Sequence, residues 1–351
     1  MSWSGRVFDT YDPSPGSIRE TDSLPGKVRA LVNQQIESWP ALRLGIKSLS
    51  LIEMKRIGIA GTRSEVVVQH NPGRIRSTAA KVDARSVATR KCFLCPENMP
   101  PEEKSIQYRQ ELMVACNPFP VLENHLSIVH RDHIEQKIDG NVELLLELAR
   151  DFGPDYFLLY NGPRAGASAP DHLHFQACSR SLLPIETDLK RHLKESGPGS
   201  PGSVEPPWAL LLDDCGRSVF VFTSSAPGPL TEAVYSTISV LKYGTGESRE
   251  PMMNIIVTFD GPAWALYLFP RARHRPARFF SEGEDRLTVS PGAIDMAGVV
   301  VVPEARDFTL VDSRSAAEIF AEVSLGLNTS RKVLSSITAG LLEVSGRNND
   351  D

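Results

Sequence analysis

One short segment of the chain, His-Leu-His-Phe-Gln, alternates polar and apolar side chains directly after a loop rich in glycine, alanine and proline. Successive side chains of a strand point to opposite faces, so the alternation predicts a half-buried strand. Leu173 and Phe175 would face a core, while His172, His174 and Gln176 would share the opposite face. The segment therefore predicts a polar site built on one face of a sheet.

Two imidazoles beside an amide favour phosphoryl chemistry. A neutral imidazole is nucleophilic near neutral pH, and an amide can donate a hydrogen bond to a phosphoryl oxygen. The alternative interpretation is a half-buried strand whose polar face carries histidines that have no catalytic role.

Composition narrows the class of protein. At 351 residues, with 41% hydrophobic and 23% charged residues, the chain can bury one large core or two moderate ones. The net charge of −5 is spread without long runs of one sign, so neither nucleic acid nor a membrane surface is expected as a partner. No stretch reaches the ~20 apolar residues that cross a bilayer, and residues 1–6 carry no apolar signal region. Together with five cysteines, an odd number, these features predict a cytoplasmic protein with reduced thiols.

The order of strand-like and helical patterns predicts an α+β fold, with an antiparallel sheet and helices arranged as two related halves. The second half repeats the order of elements but lacks the His-x-His-x-Gln pattern, which indicates a degenerate internal duplication. The expected units are an N-terminal segment at 1–60, a first half carrying the site at 61–195, a linker or loop rich in Gly, Pro and Ser at 196–207, and a second half at 208–351.

Cys92 and Cys95 have the spacing that lets two sulfur atoms reach one metal ion. Zinc needs two further ligands, for which His133 and His172 are candidates. The alternative is a turn that carries two reduced thiols. A redox pair is less favoured, because prolines rather than a helix follow the motif.

Three turns carry groups suited to a nucleotide. The Asn-Pro-Phe-Pro turn at 117–120 could form a rigid wall, with the Asn117 amide available for a base or ribose, or it could simply be a turn. Basic turns at 69–76 and 271–275 carry guanidinium groups, which bind phosphate well, although such runs are commonly solvated surface.

Taken together, these motifs resemble the histidine-triad superfamily in its nucleotidyltransferase branch. The cysteine pair, the 117–120 turn and Asn161 ahead of the His-Leu-His-Phe-Gln segment are similar to galactose-1-phosphate uridylyltransferases. The segment itself, together with the turn at 69–74, is closer to GDP-hexose phosphorylases of the GDP-galactose type. Parts of 253–299 resemble the C-terminal part of diadenosine tetraphosphate phosphorylases.

The resemblance implies a histidine-triad-like fold and a covalent nucleotidyl-histidine. His174 would attack the α-phosphorus, Gln176 would hold a phosphoryl oxygen, and the carbonyl of Leu173 would orient the histidine. By the uridylyltransferase pattern, one zinc ion would be held by Cys92, Cys95, His133 and His172.

The expected reaction is phosphorolysis of an NDP-sugar, or exchange with a sugar 1-phosphate. The chain combines features of two subfamilies, because Leu173 replaces the proline of the uridylyltransferase motif and the phosphorylases generally lack the cysteine pair. Alternatives are a dinucleoside polyphosphate phosphorylase and a non-catalytic, zinc-stabilised nucleotide-binding protein. The resemblance is compatible with a homodimer. The expected substrate-binding residues are Asn71, Arg74, Asn117, Asn161, Ser168 and Arg271.

Overall fold

The computed structural model describes residues 2–12, 22–78, 83–196, 208–246 and 248–347. The strands are β1 (Val7–Tyr11), β2 (Glu53–Gly58), β3 (Glu65–His70), β4 (Ser105–Tyr108), β5 (Leu112–Cys116), β6 (Leu126–His130), β7 (Tyr156–Asn161), β8 (His174–Ser179), β9 (Trp208–Leu212), β10 (Val219–Ser224), β11 (Met253–Asp260), β12 (Ala263–Pro270) and β13 (Val299–Val302). The α-helices are α1 (Leu24–Ser38), α2 (Pro40–Leu49), α3 (Ile75–Thr78), α4 (Ala84–Thr89), α5 (Val142–Phe152), α6 (Pro184–Ser196), α7 (Pro227–Thr245), α8 (Ala293–Met296), α9 (Ala305–Leu310), α10 (Ser313–Val323) and α11 (Leu327–Arg347).

Two sheets organise the chain and confirm the expected α+β class. The large sheet has the strand order β1-β4-β5-β6-β8-β7-β11-β12-β10-β9, and the small sheet has the order β13-β3-β2. Apart from the parallel pair of β1 and β4, neighbours in the large sheet are antiparallel. The small sheet combines strands from both ends of the chain.

The strand order on the two sides of the β7–β11 pair is mirrored. One side runs β7-β8-β6-β5 outward, and the other runs β11-β12-β10-β9. In chain order each set has four strands, and a helix follows the second of them: α5 follows β6, and α7 follows β10. This arrangement supports the internal duplication, whose unit boundaries stay predictions. Of the expected linker, Ser196 ends α6 and residues 197–207 lie outside the described residues.

The large sheet lies between two hydrophobic cores. Helices α1, α5, α7 and α11 pack on one face, and the small sheet with α6, α8 and α10 covers much of the other. Leu173 and Phe175 are fully buried in the first core, as the alternating pattern predicts. The polar side chains of β8 consequently face the opposite side of the sheet, where a cavity opens. No helix within the described ranges has the length and apolar character needed to cross a membrane.

Candidate active site

His174 begins β8, and its imidazole is fixed in one tautomer. Its Nδ1 lies 2.8 Å from the carbonyl oxygen of His172, which can only accept, so Nδ1 carries the proton. The lone pair is therefore on Nε2, and the side chain lines the cavity. Burial lowers the pKa of His174, which keeps the imidazole neutral and nucleophilic.

The carbonyl that orients His174 differs from the expected one. It belongs to His172, whereas the carbonyl of Leu173 accepts a hydrogen bond from the backbone N–H of His130. The reason is geometric. The imidazole of His174, the first residue of β8, folds back over the preceding turn, whereas the carbonyl of Leu173 already accepts its hydrogen bond from the end of β6.

Gln136 holds the start of β8 and was not anticipated from the sequence. Its side chain is fully buried, and its Oε1 accepts a 2.8 Å hydrogen bond from the backbone N–H of His174. Its Nε2 donates to the carbonyl oxygens of His174 and Asn161 at 3.1 and 2.9 Å. One amide therefore ties the backbone of His174 to the end of β7. A single glutamine in an irregular segment gives no sequence signal for this role.

His125 fixes the orientation of the Gln176 amide. The backbone N–H of Val121 donates to Nδ1 of His125 at 3.1 Å, so the proton of this imidazole is on Nε2. Nε2 lies 2.7 Å from Oε1 of Gln176 and donates to it. Burial, aided by the charge of Arg74, lowers the pKa of His125 to about 3. The Gln176 amide thus keeps its NH₂ group for a ligand in the cavity.

The four residues expected to bind zinc form one cluster, with their ligand atoms all within 4.8 Å of one another. Sγ of Cys92 lies 3.4 Å and Sγ of Cys95 lies 3.6 Å from Nδ1 of His172. Sγ of Cys95 lies 3.2 Å from Nδ1 of His133. Two sulfurs and two imidazole nitrogens are a donor set that zinc prefers, so these residues fit that metal.

His172 connects the cluster to His174. Its Nε2 donates to the carbonyl oxygen of His130 at 2.8 Å, which leaves the Nδ1 lone pair facing the two sulfurs. The backbone carbonyl of the same residue accepts the Nδ1–H of His174. Any ion that fixes the His172 ring would therefore also stabilise the turn that orients His174.

The cavity beside His174 has a volume of about 660 Å³. Of the six residues expected to bind substrate, four line it: Arg74, Asn117, Asn161 and Ser168. Gln176 also lines it, together with the exposed aromatic rings of Phe93 and Phe119. A cavity of this size, with cations and aromatic rings beside a neutral imidazole, suits a nucleotide.

Asn71 and Arg271 do not line the cavity; both side chains are buried and bonded elsewhere. Asn71 donates to the carbonyl oxygen of Pro120 at 3.1 Å and so supports the 117–120 turn. Arg271 donates to Oδ1 of Asn254 and to backbone carbonyls that include that of Pro291. Their positions therefore support a scaffolding role rather than direct substrate contact.

The basic run at 271–275 reaches the cavity through His274 and Arg275 rather than through Arg271. Arg275 lines the cavity, where it donates to Oγ of Ser290 at 2.8 Å and to the carbonyl oxygen of Thr78 at 2.9 Å. Arg90 lines the opposite part and forms an ion pair with Asp171. Its Nη1 is buried and has no hydrogen-bond partner among the described residues.

The loop between β7 and β8 contacts the segment before α8 very closely. Oδ1 of Asn161 accepts hydrogen bonds from the backbone N–H of Ala293 at 2.8 Å and from Nδ2 of Asn254 at 2.7 Å. Gly166 has a φ of +102°, and a Cβ there would lie 2.9 Å from Cα of Gly292. Only glycine fits at that position, which explains one of the small residues ahead of the histidines.

Comparison with known proteins gives one family model and a set of solved structures. Residues 31–179 match a family described as "Domain of unknown function (DUF4922)". Comparison with curated proteins gives no match.

The similar solved structures include three of yeast Ap4A phosphorylase Apa2. One shares 16% identity with a TM-score of 0.58, covering 84% of this chain and 97% of that chain. The complex with Ap4A shares 15% identity with a TM-score of 0.57, covering 86% and 98%, and the complex with AMP shares 14% with a TM-score of 0.53, covering 84% and 96%. The chain therefore shares the fold of Apa2 over most of both lengths. The resemblance to GDP-hexose phosphorylases and to uridylyltransferases stays a prediction.

Proposed function

We propose that this protein is a nucleotidyltransferase that forms a covalent nucleotidyl-histidine at Nε2 of His174. The observation that carries the proposal is the orientation of this ring: Nδ1 is bonded to a carbonyl, so the lone pair of Nε2 is available at a cavity of nucleotide size. The NH₂ group of Gln176 lies on the same face of β8, where it can donate to a phosphoryl oxygen.

The reaction proceeds in two displacements. The lone pair of Nε2 attacks the α-phosphorus and forms a P–N bond, while the bond to the bridging oxygen breaks and its electron pair leaves with the sugar 1-phosphate. An oxygen of inorganic phosphate then attacks the same phosphorus, and the electrons of the P–N bond return to Nε2. The products are a nucleoside diphosphate and neutral His174. Throughout, the carbonyl of His172 stabilises the Nδ1–H while the ring carries positive charge.

Gln176 favours transfer over hydrolysis. An amide does not titrate, so it can hold a phosphoryl oxygen but cannot give a proton to a strongly basic leaving group. Sugar phosphates and nucleotides leave as weak bases and need no such proton. The site is therefore matched to activated diphosphate substrates.

The cluster at Cys92, Cys95, His133 and His172 would hold zinc. When bound, the ion would supply rigidity to the turn that positions His174. The reaction itself needs only the imidazole, the amide and the cations of the cavity.

The proposed substrate is an NDP-sugar, with phosphate or a sugar 1-phosphate as acceptor. A dinucleoside polyphosphate is the second candidate, and it is favoured by the similarity in fold to an Ap4A phosphorylase that has been solved with Ap4A and with AMP. In both cases the same bond, from the α-phosphorus to its bridging oxygen, would break.

A substrate screen tests the proposal. The protein is incubated with NDP-sugars and dinucleoside polyphosphates, with and without phosphate, and the products are identified by mass. We expect product formation to require phosphate or a sugar 1-phosphate and to follow ping-pong kinetics. If the full rate is reached with water alone as the acceptor, the protein is a hydrolase and the transferase proposal is wrong.

A further inference from the structure

The cavity presents different chemistry on the two sides of β8. This strand lies between β6 and β7, and His174 at its start pairs with Val129 of β6. Leu94 packs against Val129 in one buried cluster, and the neighbouring ring of Phe93 lines the cavity. Phe119 lines it from the turn after β5, the next strand beyond β6. Both aromatic rings therefore lie on the β6 side of His174.

The second half of the chain builds the β7 side of the cavity. Asn161 ends β7, and its Oδ1 accepts a hydrogen bond from the backbone N–H of Ala293 at 2.8 Å. Ser290, three residues before Ala293, lines the cavity. His274 and Arg275 line it as well. These three lining residues, His274, Arg275 and Ser290, form what we call the second-half wall.

A buried arginine fixes the second-half wall. Arg271 is 5% exposed, and it donates to the carbonyl oxygens of His274 and Pro291, both at 2.9 Å. It also donates to Oδ1 of Asn254 on β11. One guanidinium therefore joins the basic turn to the segment before α8 and anchors both to the large sheet.

Arg275 carries the positive charge with which the second-half wall faces the cavity. Its Nε donates to Oγ of Ser290 at 2.8 Å, and its Nη2 donates to the carbonyl oxygen of Thr78 at 2.9 Å. Because Oγ of Ser290 accepts this bond, its hydroxyl proton can be donated. Nε2 of His274 lies 3.3 Å from the same oxygen. Burial, together with the charges of Arg275 and Arg271, lowers the pKa of His274 to about 3, so this imidazole is neutral.

The two sides of the cavity match the two parts of the proposed substrate. The reacting phosphorus joins the nucleoside to the leaving phosphate, so a substrate with this phosphorus at His174 extends in two directions. Aromatic rings on the β6 side suit a nucleoside. A guanidinium and a hydroxyl on the β7 side suit phosphate oxygens.

We propose that Arg275 and Ser290 bind the phosphate group that departs with the first product, and then the phosphate of the acceptor that replaces it. One subsite serves both, because the second displacement reverses the first at the same phosphorus. Inorganic phosphate and the phosphate of a sugar 1-phosphate share this chemistry. The second half, which lacks the His-x-His-x-Gln pattern, thus supplies the subsite that selects a phosphate acceptor over water.

This inference rests on the proposed function, and it is tested by binding, which needs no turnover. Calorimetry measures the affinities of AMP and ADP, of GMP and GDP, and of UMP and UDP for the full chain. Within a pair the nucleotides differ only in the second phosphate, so the comparison does not depend on knowing the base. We expect the diphosphate to bind roughly 10-fold or more tightly in each pair that binds.

Arg275→Gln removes the charge of the subsite. It should weaken binding of the diphosphate roughly 10-fold to 100-fold and leave that of the monophosphate within about twofold. Arg275→Lys should recover part of the loss, because an ammonium group keeps the charge but not the planar fork. The matched control is Arg273→Gln, the same change at an exposed residue that forms an ion pair with Glu322 and lies outside the cavity lining. It should leave both affinities unchanged.

Competition separates the two sources of phosphate. Inorganic phosphate and glucose 1-phosphate are added separately to the diphosphate that binds. The anion that raises the apparent Kd of the diphosphate for the unaltered protein, and does so less for Arg275→Gln, is the acceptor that the subsite takes.

Three results would overturn the inference: a diphosphate that binds no more tightly than its monophosphate, an Arg275→Gln variant that weakens both nucleotides of a pair equally, or competition by neither anion. The first result needs no variant, so it decides the matter even if Arg275→Gln fails to fold. Any of them together with a nucleotidyl-histidine would leave the proposed function standing. An Arg275-dependent preference for diphosphates without any nucleotidyl-histidine would instead contradict the proposed function and leave the phosphate subsite standing.

Discussion

Nε2 of His125 lies 2.7 Å from Oε1 of Gln176, and the tautomer of this histidine is set by the backbone N–H of Val121. Because the histidine can only donate through Nε2, the glutamine amide cannot flip without losing this bond. His125, which is not part of the His-x-His-x-Gln motif, thus determines that the NH₂ group of Gln176 is the end left free for a ligand.

Replacing His125 should therefore slow nucleotidyl transfer without removing the nucleophile. In His125→Asn the shorter side chain cannot bond both Val121 and Gln176, so we expect kcat to fall roughly 10-fold to 100-fold, less than for the complete loss of one oriented donor. Gln176→Ala should give a similar or larger fall. Because both changes remove the same contact, the double variant should be little slower than the slower single variant. Fully multiplicative losses would show that the two residues act independently.

His125 should also leave a signature in the pH dependence of stability. Burial lowers its pKa from 6.5 to about 3 in the folded protein, so the unfolded chain binds a proton more readily. The free energy of unfolding that the neutral His125 contributes is therefore fully present above about pH 6.5. It is lost as the pH falls from there toward 3, because the unfolded chain takes up a proton that the folded protein does not. In denaturant titrations, His125→Asn should lose less unfolding free energy between pH 7 and pH 4 than the unaltered protein, by a few kcal/mol at most. Parallel curves for the two proteins would contradict the assignment.

Metal removal should loosen the first half of the chain. We expect about one zinc ion per chain by elemental analysis, and Cys92→Ser combined with Cys95→Ser should lose the ion and lower Tm, by several degrees or more. Cys215→Ser is the matched control, because this thiol is buried but lies outside the cluster. Protein without metal, or a Tm that the double substitution leaves unchanged, would count against the zinc site.

Local patterns in the sequence predicted the strand that begins at His174 and the four residues that the structure brings together as a possible metal site. The period-two alternation around His174 is a property of any strand, so it can be read from five residues. The cysteine spacing likewise signals a metal site on its own, for which His133 and His172 are candidates in the sequence, and the resemblance implies the same set of four.

Contacts that depend on strand register could not be predicted in this way. His125 and Gln136 reach the site only because β6, β7 and β8 are neighbours in the sheet. In the basic run, the N–H of Arg271 still bonds to the carbonyl of Met252, so this residue extends the end of the sheet and turns its guanidinium inward. Arg275, four residues later, has left the sheet and lines the cavity.

The most direct test of the central claim is the mass of the intact protein after brief exposure to an NDP-sugar without acceptor. The account predicts a species heavier by one nucleoside monophosphate, located at His174, that disappears when phosphate is added. His174→Ala should form none of it and should lose roughly a thousandfold or more in turnover while keeping its fold. An unmodified protein that still turns over, or undiminished turnover by His174→Ala, would contradict the covalent mechanism.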